Sequence, residues 1–131
     1  MYKKAILCVD DEEIILDTLE TQLREHLGHK YSYELAESAE DALEIIDELN
    51  ESGVDVLVVI SDWLMPGIKG DDFLIAVHKK IPKTIKVLLT GQADEKAITR
   101  AKTQANLNYC IYKPWDIDEL IGVINKELEA I

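Results

Sequence analysis

The chain is short of several things. Its 131 residues include two cysteines, three prolines and six glycines, and aromatic side chains make up 6%. Cys8 and Cys110 each lie inside an apolar, strand-like run, so each reads as a small buried hydrophobe. Neither their number nor their spacing suits a disulfide framework or a zinc site, and a reduced, cytoplasmic setting fits. No linker, repeat or low-complexity stretch interrupts the chain. No apolar run approaches the roughly 20 residues of a membrane-spanning helix, and no signal peptide is recognisable. Positive charge is scarce as well. Lys and Arg number 14 against 26 Asp and Glu, a net charge of -12. Such a surface repels nucleic acid and anionic membranes, so direct binding to either is not expected. Acid gathered at one place would instead suit a cation.

What remains is a 47% apolar chain of a length that suits one domain with a real core. Apolar runs and amphipathic stretches alternate along it. Lys3 to Val9 reads as a strand ending in Asp10-Asp11-Glu12-Glu13. A helix follows from about Glu13 to Leu27, with Ile15 or Leu16, Leu19, Leu23 and Leu27 at the spacing of a buried stripe. Tyr31 to Ala36 alternates apolar and polar, as an edge strand does. Ser38 caps a second helix with Asp41 three residues on; Ala42, Leu43, Ile46 and Leu49 form its stripe, and Gly53 ends it.

Val56 to Ile60 is the most apolar run and reads as a strand buried on both faces, at the centre of a parallel sheet. It ends at Ser61-Asp62, before the Pro66-Gly67 turn. A third helix carries Phe73, Leu74, Val77 and Ile81 inward and stops before Pro82. Ile85 to Leu89 is a buried strand ending at Thr90-Gly91. The fourth helix, about Asp94 to Ala105, has a weak stripe of Ala97, Ile98, Ala101 and Ala105, with Lys96, Arg100 and Lys102 as a basic surface. Tyr109 to Tyr112 is a short strand before Lys113-Pro114. The last helix, from about Asp116, buries Ile117, Leu120, Ile121, Ile124 and Leu128. Strand–helix alternation of this kind gives an α/β fold, a parallel sheet covered on both faces.

In such a sheet the strand ends share one rim, where ligands bind. Asp10, Asp11, Asp62, Thr90 and Lys113 all stand at strand ends. Clustered carboxylates repel one another unless a cation compensates. Oxygen-only ligands, with no His or Cys, suit Mg²⁺. A metal, the Lys113 ammonium and the Thr90 hydroxyl together are what a transferring phosphoryl group requires, and Asp62 is the natural nucleophile. Taken singly, each residue has a plainer reading. Asp10 could cap a helix, Asp62 could belong to the turn, Thr90 could be a turn hydroxyl and Lys113 a surface charge. Their joint placement outweighs those readings.

Four motifs carry a resemblance: VDDE at Val9 to Glu12, SDWLMPG at Ser61 to Gly67, LLTG at Leu88 to Gly91 and YKPW at Tyr112 to Trp115. In this order and spacing the chain, taken as one domain over 1–131, resembles the response-regulator receiver domain of two-component signalling. The resemblance implies a flavodoxin-like (βα)₅ doubly wound sheet with strand order 2-1-3-4-5. It implies Asp62 as phosphoacceptor, and Mg²⁺ held by Asp10, Asp11, Asp62 and the backbone carbonyl of Leu64, Asp11 directly and Asp10 through water. It makes Thr90 the switch hydroxyl, Lys113 the phosphoryl-pairing lysine, and the Lys113-Pro114 bond cis. The phosphoryl donor would be a histidine kinase or phosphotransfer protein, and hydrolysis of the acyl phosphate would reset the domain. An output domain or effector protein would meet the face of the fourth helix, fifth strand and fifth helix, and a homodimer of the phosphorylated form is compatible. Such a domain catalyses its own phosphorylation and dephosphorylation but is not a turnover enzyme. The chain ends with its last helix, which suits either a stand-alone receiver or one cut from a longer protein.

One departure concerns the switch. Where the family carries an aromatic ring, three residues before the lysine, this chain has Cys110; by strand alternation Tyr112 shares its face and is expected to assume part of the role. Leu64 and Gln92 stand where they affect access of the hydrolytic water. Trp63 and Trp115 flank the rim, either packing or meeting a partner. Three other functions are less well matched. A haloacid-dehalogenase-like phosphatase needs a second acid where Leu64 stands. An FMN carrier needs phosphate donors where Asp10 to Glu13 stand. A receiver-like interaction module that is never phosphorylated would have no use for the intact acidic set.

Overall fold

The structure is a computed structural model that describes residues 2–92 and 95–130. Ten elements alternate: β1 (Lys4–Val9), α1 (Glu13–Leu27), β2 (Ser32–Ala36), α2 (Ala39–Glu51), β3 (Asp55–Ser61), α3 (Gly70–Lys80), β4 (Ile85–Thr90), α4 (Glu95–Gln104), β5 (Tyr109–Tyr112) and α5 (Ile117–Glu129). The expected start of the fourth helix at Asp94 lies outside the described residues. The strands form one parallel sheet in the order β2-β1-β3-β4-β5. No helix among the described residues is long and apolar enough to cross a membrane.

Successive strand side chains go to opposite faces, so each strand feeds two cores. Ile6, Cys8, Val58, Ile60, Val87 and Leu89 pack under α1 and α5. Leu7, Val9, Val59 and Leu88 pack under α2, α3 and α4. The α1 stripe is Leu16, Leu19 and Leu23, with Ile15 and Leu27 partly buried at its margin. On α2 the Ser38 hydroxyl accepts from the Asp41 amide at 3.1 Å, the expected cap. β2 is less covered than β1, β3 and β4, as an edge strand should be.

Two features depart from a simple apolar reading. Lys86, the second residue of the buried β4, is 0% exposed. Its ammonium donates to the carbonyls of Thr84 at 2.9 Å and Pro82 at 3.3 Å. Burial lowers its pKa to about 8. Cys110 is half-buried rather than interior, because β5 is an edge strand; Cys8 is fully buried and both are free thiols.

Two glycines shape the loop after β3. Gly67 has φ +81°, a left-handed turn that side chains rarely adopt. At Gly70 a Cβ would lie 2.4 Å from the Asp62 carbonyl oxygen and 2.6 Å from the Trp63 Cα. Only glycine lets α3 begin directly against the backbone that carries Asp62.

Candidate functional site

Parallel register brings the strand ends level. Val9 pairs with Ser61, Ser61 with Leu88, and Thr90 with Tyr112. The chain leaving each strand therefore delivers Asp10, Asp62, Gly91 and Lys113 to one rim. The Asp62 amide donates to the Val9 carbonyl at 2.9 Å, extending the β1–β3 ladder into the site. The Lys113 amide donates to the Thr90 carbonyl at 2.9 Å and does the same for β4–β5.

Asp10, Asp11 and Asp62 each offer a carboxylate oxygen, and these oxygens lie within 4.8 Å of one another. Asp10 is 1% exposed and Asp62 8%, whereas Asp11 faces solvent. The Lys113 ammonium is 2.8 Å from Asp10 Oδ2 and 3.5 Å from Asp62 Oδ1. Asp10 Oδ1 also accepts the Glu12 amide at 2.9 Å, so this residue both shapes the loop into α1 and holds Lys113. Asp62 Oδ1 accepts the Trp63 amide at 2.9 Å. Thr90 is fully buried, and its hydroxyl accepts the Gln92 amide at 3.1 Å.

The electrostatics follow from burial and proximity. Burial and the nearby Asp10 charge raise the pKa of Asp62, against the pull of Lys113 and the Trp63 amide. Burial works to lower the pKa of Lys113, but hydrogen bonding and attraction to Asp10 and Asp62 outweigh it and the pKa is raised. The site is thus short of positive charge, and its three carboxylates could hold a metal ion. An open cleft of about 540 Å³ gives access, lined by Asp11, Asp62, Leu64, Thr90, Gln92 and Lys113 among others. An all-oxygen donor set of this kind suits a hard divalent cation.

A profile of the response regulator receiver domain matches residues 6–125. The chain belongs to this family. Over 125 residues the receiver is 30% identical to the hydrogenase transcriptional regulatory protein HoxA of Cupriavidus necator, covering 95% of this chain and 24% of HoxA. It is 27% identical over 132 residues to the chemotaxis protein CheY-3 of Vibrio cholerae, covering 98% of this chain and 99% of CheY-3. Its structure resembles the signal receiver domain of an HD domain-containing protein from Pseudomonas fluorescens Pf-5, with a TM-score of 0.85 and 31% identity over 99% of this chain and 97% of that one. The receiver spans about a quarter of the length of HoxA and of NtrC from Proteus hauseri.

The expected site residues come together: Asp10, Asp11, Asp62, Leu64, Thr90 and Lys113 all reach the rim, and the Lys113-Pro114 peptide is cis. On β5, Cys110 packs against the α2–α4 core and Tyr112 is 55% exposed beside Thr90 in the register, while Tyr109 packs on the other face. The indole of Trp115 donates to Gln22 at 2.9 Å, and that of Trp63 to Asp71 at 3.1 Å. Sequence reading passed over Asp71. The available signal was its position three residues before Leu74, on the inward side of α3, where a carboxylate needs a partner.

Proposed function

We propose that this receiver accepts a phosphoryl group on Asp62 from a histidine kinase or phosphotransfer protein, and that the product shifts its conformation through Thr90 and Lys113. The supporting observation is the convergence of three carboxylates with an ammonium 3.5 Å from Asp62. An Asp62 carboxylate oxygen attacks phosphorus. The bond from phosphorus to the donor imidazole nitrogen breaks, and the nitrogen keeps its electron pair. An acyl phosphate forms, and attack of water at phosphorus later releases inorganic phosphate and restores the carboxylate.

Asp10, Asp11, Asp62 and the Leu64 carbonyl would hold Mg²⁺, which when bound supplies charge neutralisation for the phosphoryl oxygens. Lys113 is already within reach of Asp62 and neutralises a phosphoryl oxygen with a short movement. The Thr90 hydroxyl donates to another, trading its present position for a contact that exists only in the phosphorylated form. That differential contact is what shifts the population. Trp63 and Gly70 fix the backbone beneath the acceptor, so positioning is provided before the donor arrives.

The surface of α4, β5 and α5 would carry the signal to an output domain or effector, and the phosphorylated form would be compatible with a homodimer. The domain could serve as part of a longer regulator or alone, in a cytoplasmic setting, and would process only its own phosphoryl group. Acetyl phosphate with Mg²⁺ tests the acceptor. A single phosphoryl adduct by intact mass, absent in Asp62→Asn, is expected. No adduct and no beryllofluoride binding would favour an interaction module that is never phosphorylated.

A further inference from the structure

Helix α4 buries only small side chains and packs chiefly on α3. Its buried residues are Ala97 and Ala101, whose side chains remove little apolar surface from water. Elements with few buried apolar contacts move most readily. Specific polar ties therefore weigh more in fixing α4 than they would for α3, which buries Phe73, Leu74 and Val77.

One tie leads back to the acceptor. Arg100 of α4 donates to Asp71 Oδ2 at 3.1 Å and pairs with Asp72. Asp71 is 7% exposed, and its other oxygen accepts the Trp63 indole at 3.1 Å. Trp63 follows Asp62 directly and donates its amide to Asp62 Oδ1 at 2.9 Å. Its carbonyl accepts the Gly70 amide at 2.8 Å, and Lys69 lies 5.1 Å from its ring centroid. Trp63 is thus gripped at amide, carbonyl and ring, and every grip leads to Asp62 or to the first turn of α3.

We propose that Trp63, Asp71 and Arg100 form a positioning chain coupling the carboxylate of Asp62 to helix α4. This deepens the proposed function and rests on Asp62 as the acceptor. Asp71 and Asp72 would each suit the start of a helix as simple dipole partners. That plainer role explains Asp72, which is exposed, but not a buried Asp71 whose two oxygens meet donors from two other segments. Modifying the Asp62 carboxyl alters the acceptor of the Trp63 amide. Because Trp63 is fixed to Asp71, the change is felt by the Asp71–Arg100 pair and so by α4. Coupling of this kind is reciprocal, so loosening Arg100 also loosens the acceptor.

The test compares Asp71→Asn, Arg100→Gln and Asp72→Asn in the whole chain. Calorimetric titration with Mg²⁺ and beryllofluoride is expected to show affinity weakened about threefold or more by Asp71→Asn and by Arg100→Gln. The double variant should be no weaker than either single one, and Asp72→Asn, which leaves the Asp71–Arg100 pair in place, should lose clearly less than either. Equal losses in Asp71→Asn and Asp72→Asn, or no loss in Asp71→Asn and Arg100→Gln, would overturn the chain and leave a staple between α3 and α4. If the wild type does not bind beryllofluoride, the phosphoacceptor reading falls, and hydrogen exchange decides the coupling by itself. Asp62→Ala should then change amide protection along α4 in the wild-type background but not with Arg100→Gln. The same change in both backgrounds, or none in either, would overturn the proposal.

Discussion

Replacing Asp62 with Asn should make the metal-free receiver more stable while abolishing its capacity as acceptor. The Asp62 carboxylate lies within 4.8 Å of ligand oxygens of both Asp10 and Asp11, and 3.5 Å from the Lys113 ammonium. Two repulsions at the longer distance outweigh one attraction at the shorter by about 0.5 kcal/mol at the dielectric of water and by about 2 kcal/mol at an effective dielectric near 20. Burial of the charge acts in the same direction. For a chain of this length the gain corresponds to a melting temperature about 2 to 7 °C higher. The pH dependence has a definite sign. The folded-state pKa of Asp62 is raised, so the penalty is absent below the ordinary carboxylate range and complete only above the folded pKa. The advantage of Asn should therefore be present at neutral pH and vanish in acid. Thermal melts in EDTA at both pH values measure it. Mg²⁺ should then stabilise the wild type more than the variant. A variant that melts at or below the wild-type temperature at neutral pH in EDTA would refute this electrostatic reading.

Lys113→Gln leaves Asp10 buried beside Asp62 without its counter-charge, and urea unfolding at neutral pH should show a loss of about 2 to 3 kcal/mol. The raised pKa of Lys113 means that its contribution persists up to the ordinary lysine range and fades only above it. Lys86 behaves oppositely. With a folded pKa of about 8 against 10.5, it should make stability rise with pH above about 8, by at most about 3 kcal/mol, and Lys86→Met should flatten that rise in denaturant titrations across the alkaline range. Tyr112→Ala should weaken phosphorylation-dependent partner binding, since Tyr112 is half-exposed and lies beside Thr90; unchanged binding would remove it from the switch.

The parts of the site that sequence made legible share one physical property: they stand where a buried apolar run stops. Asp10, Asp62 and Lys113 directly follow β1, β3 and β5, and Thr90 closes β4, so parallel topology alone puts them on one rim. The edge position of β2 was readable from its polar alternation, because incomplete cover leaves a trace in composition. Pairings between helices leave no such trace. Arg100 and Asp71 are 29 residues apart on separate helices, and only the packing of α4 on α3 makes one the partner of the other. Lys86 was hidden by its neighbours. Its strand reads as apolar, and the carbonyls that receive its ammonium come from the irregular turn before β4. The half-burial of Cys110 follows from the sheet edge at β5, which depends on strand order rather than on local sequence.

The central claim is that Asp62 is a phosphoacceptor served by Asp10, Asp11, Thr90 and Lys113. Intact-mass measurement after incubation with Mg²⁺ and acetyl phosphate tests it most directly. The account predicts one phosphoryl adduct on the wild type, none on Asp62→Asn, and loss of the adduct when EDTA replaces Mg²⁺. An adduct that survives Asp62→Asn, or a wild type that takes up no phosphoryl group under these conditions, would contradict it.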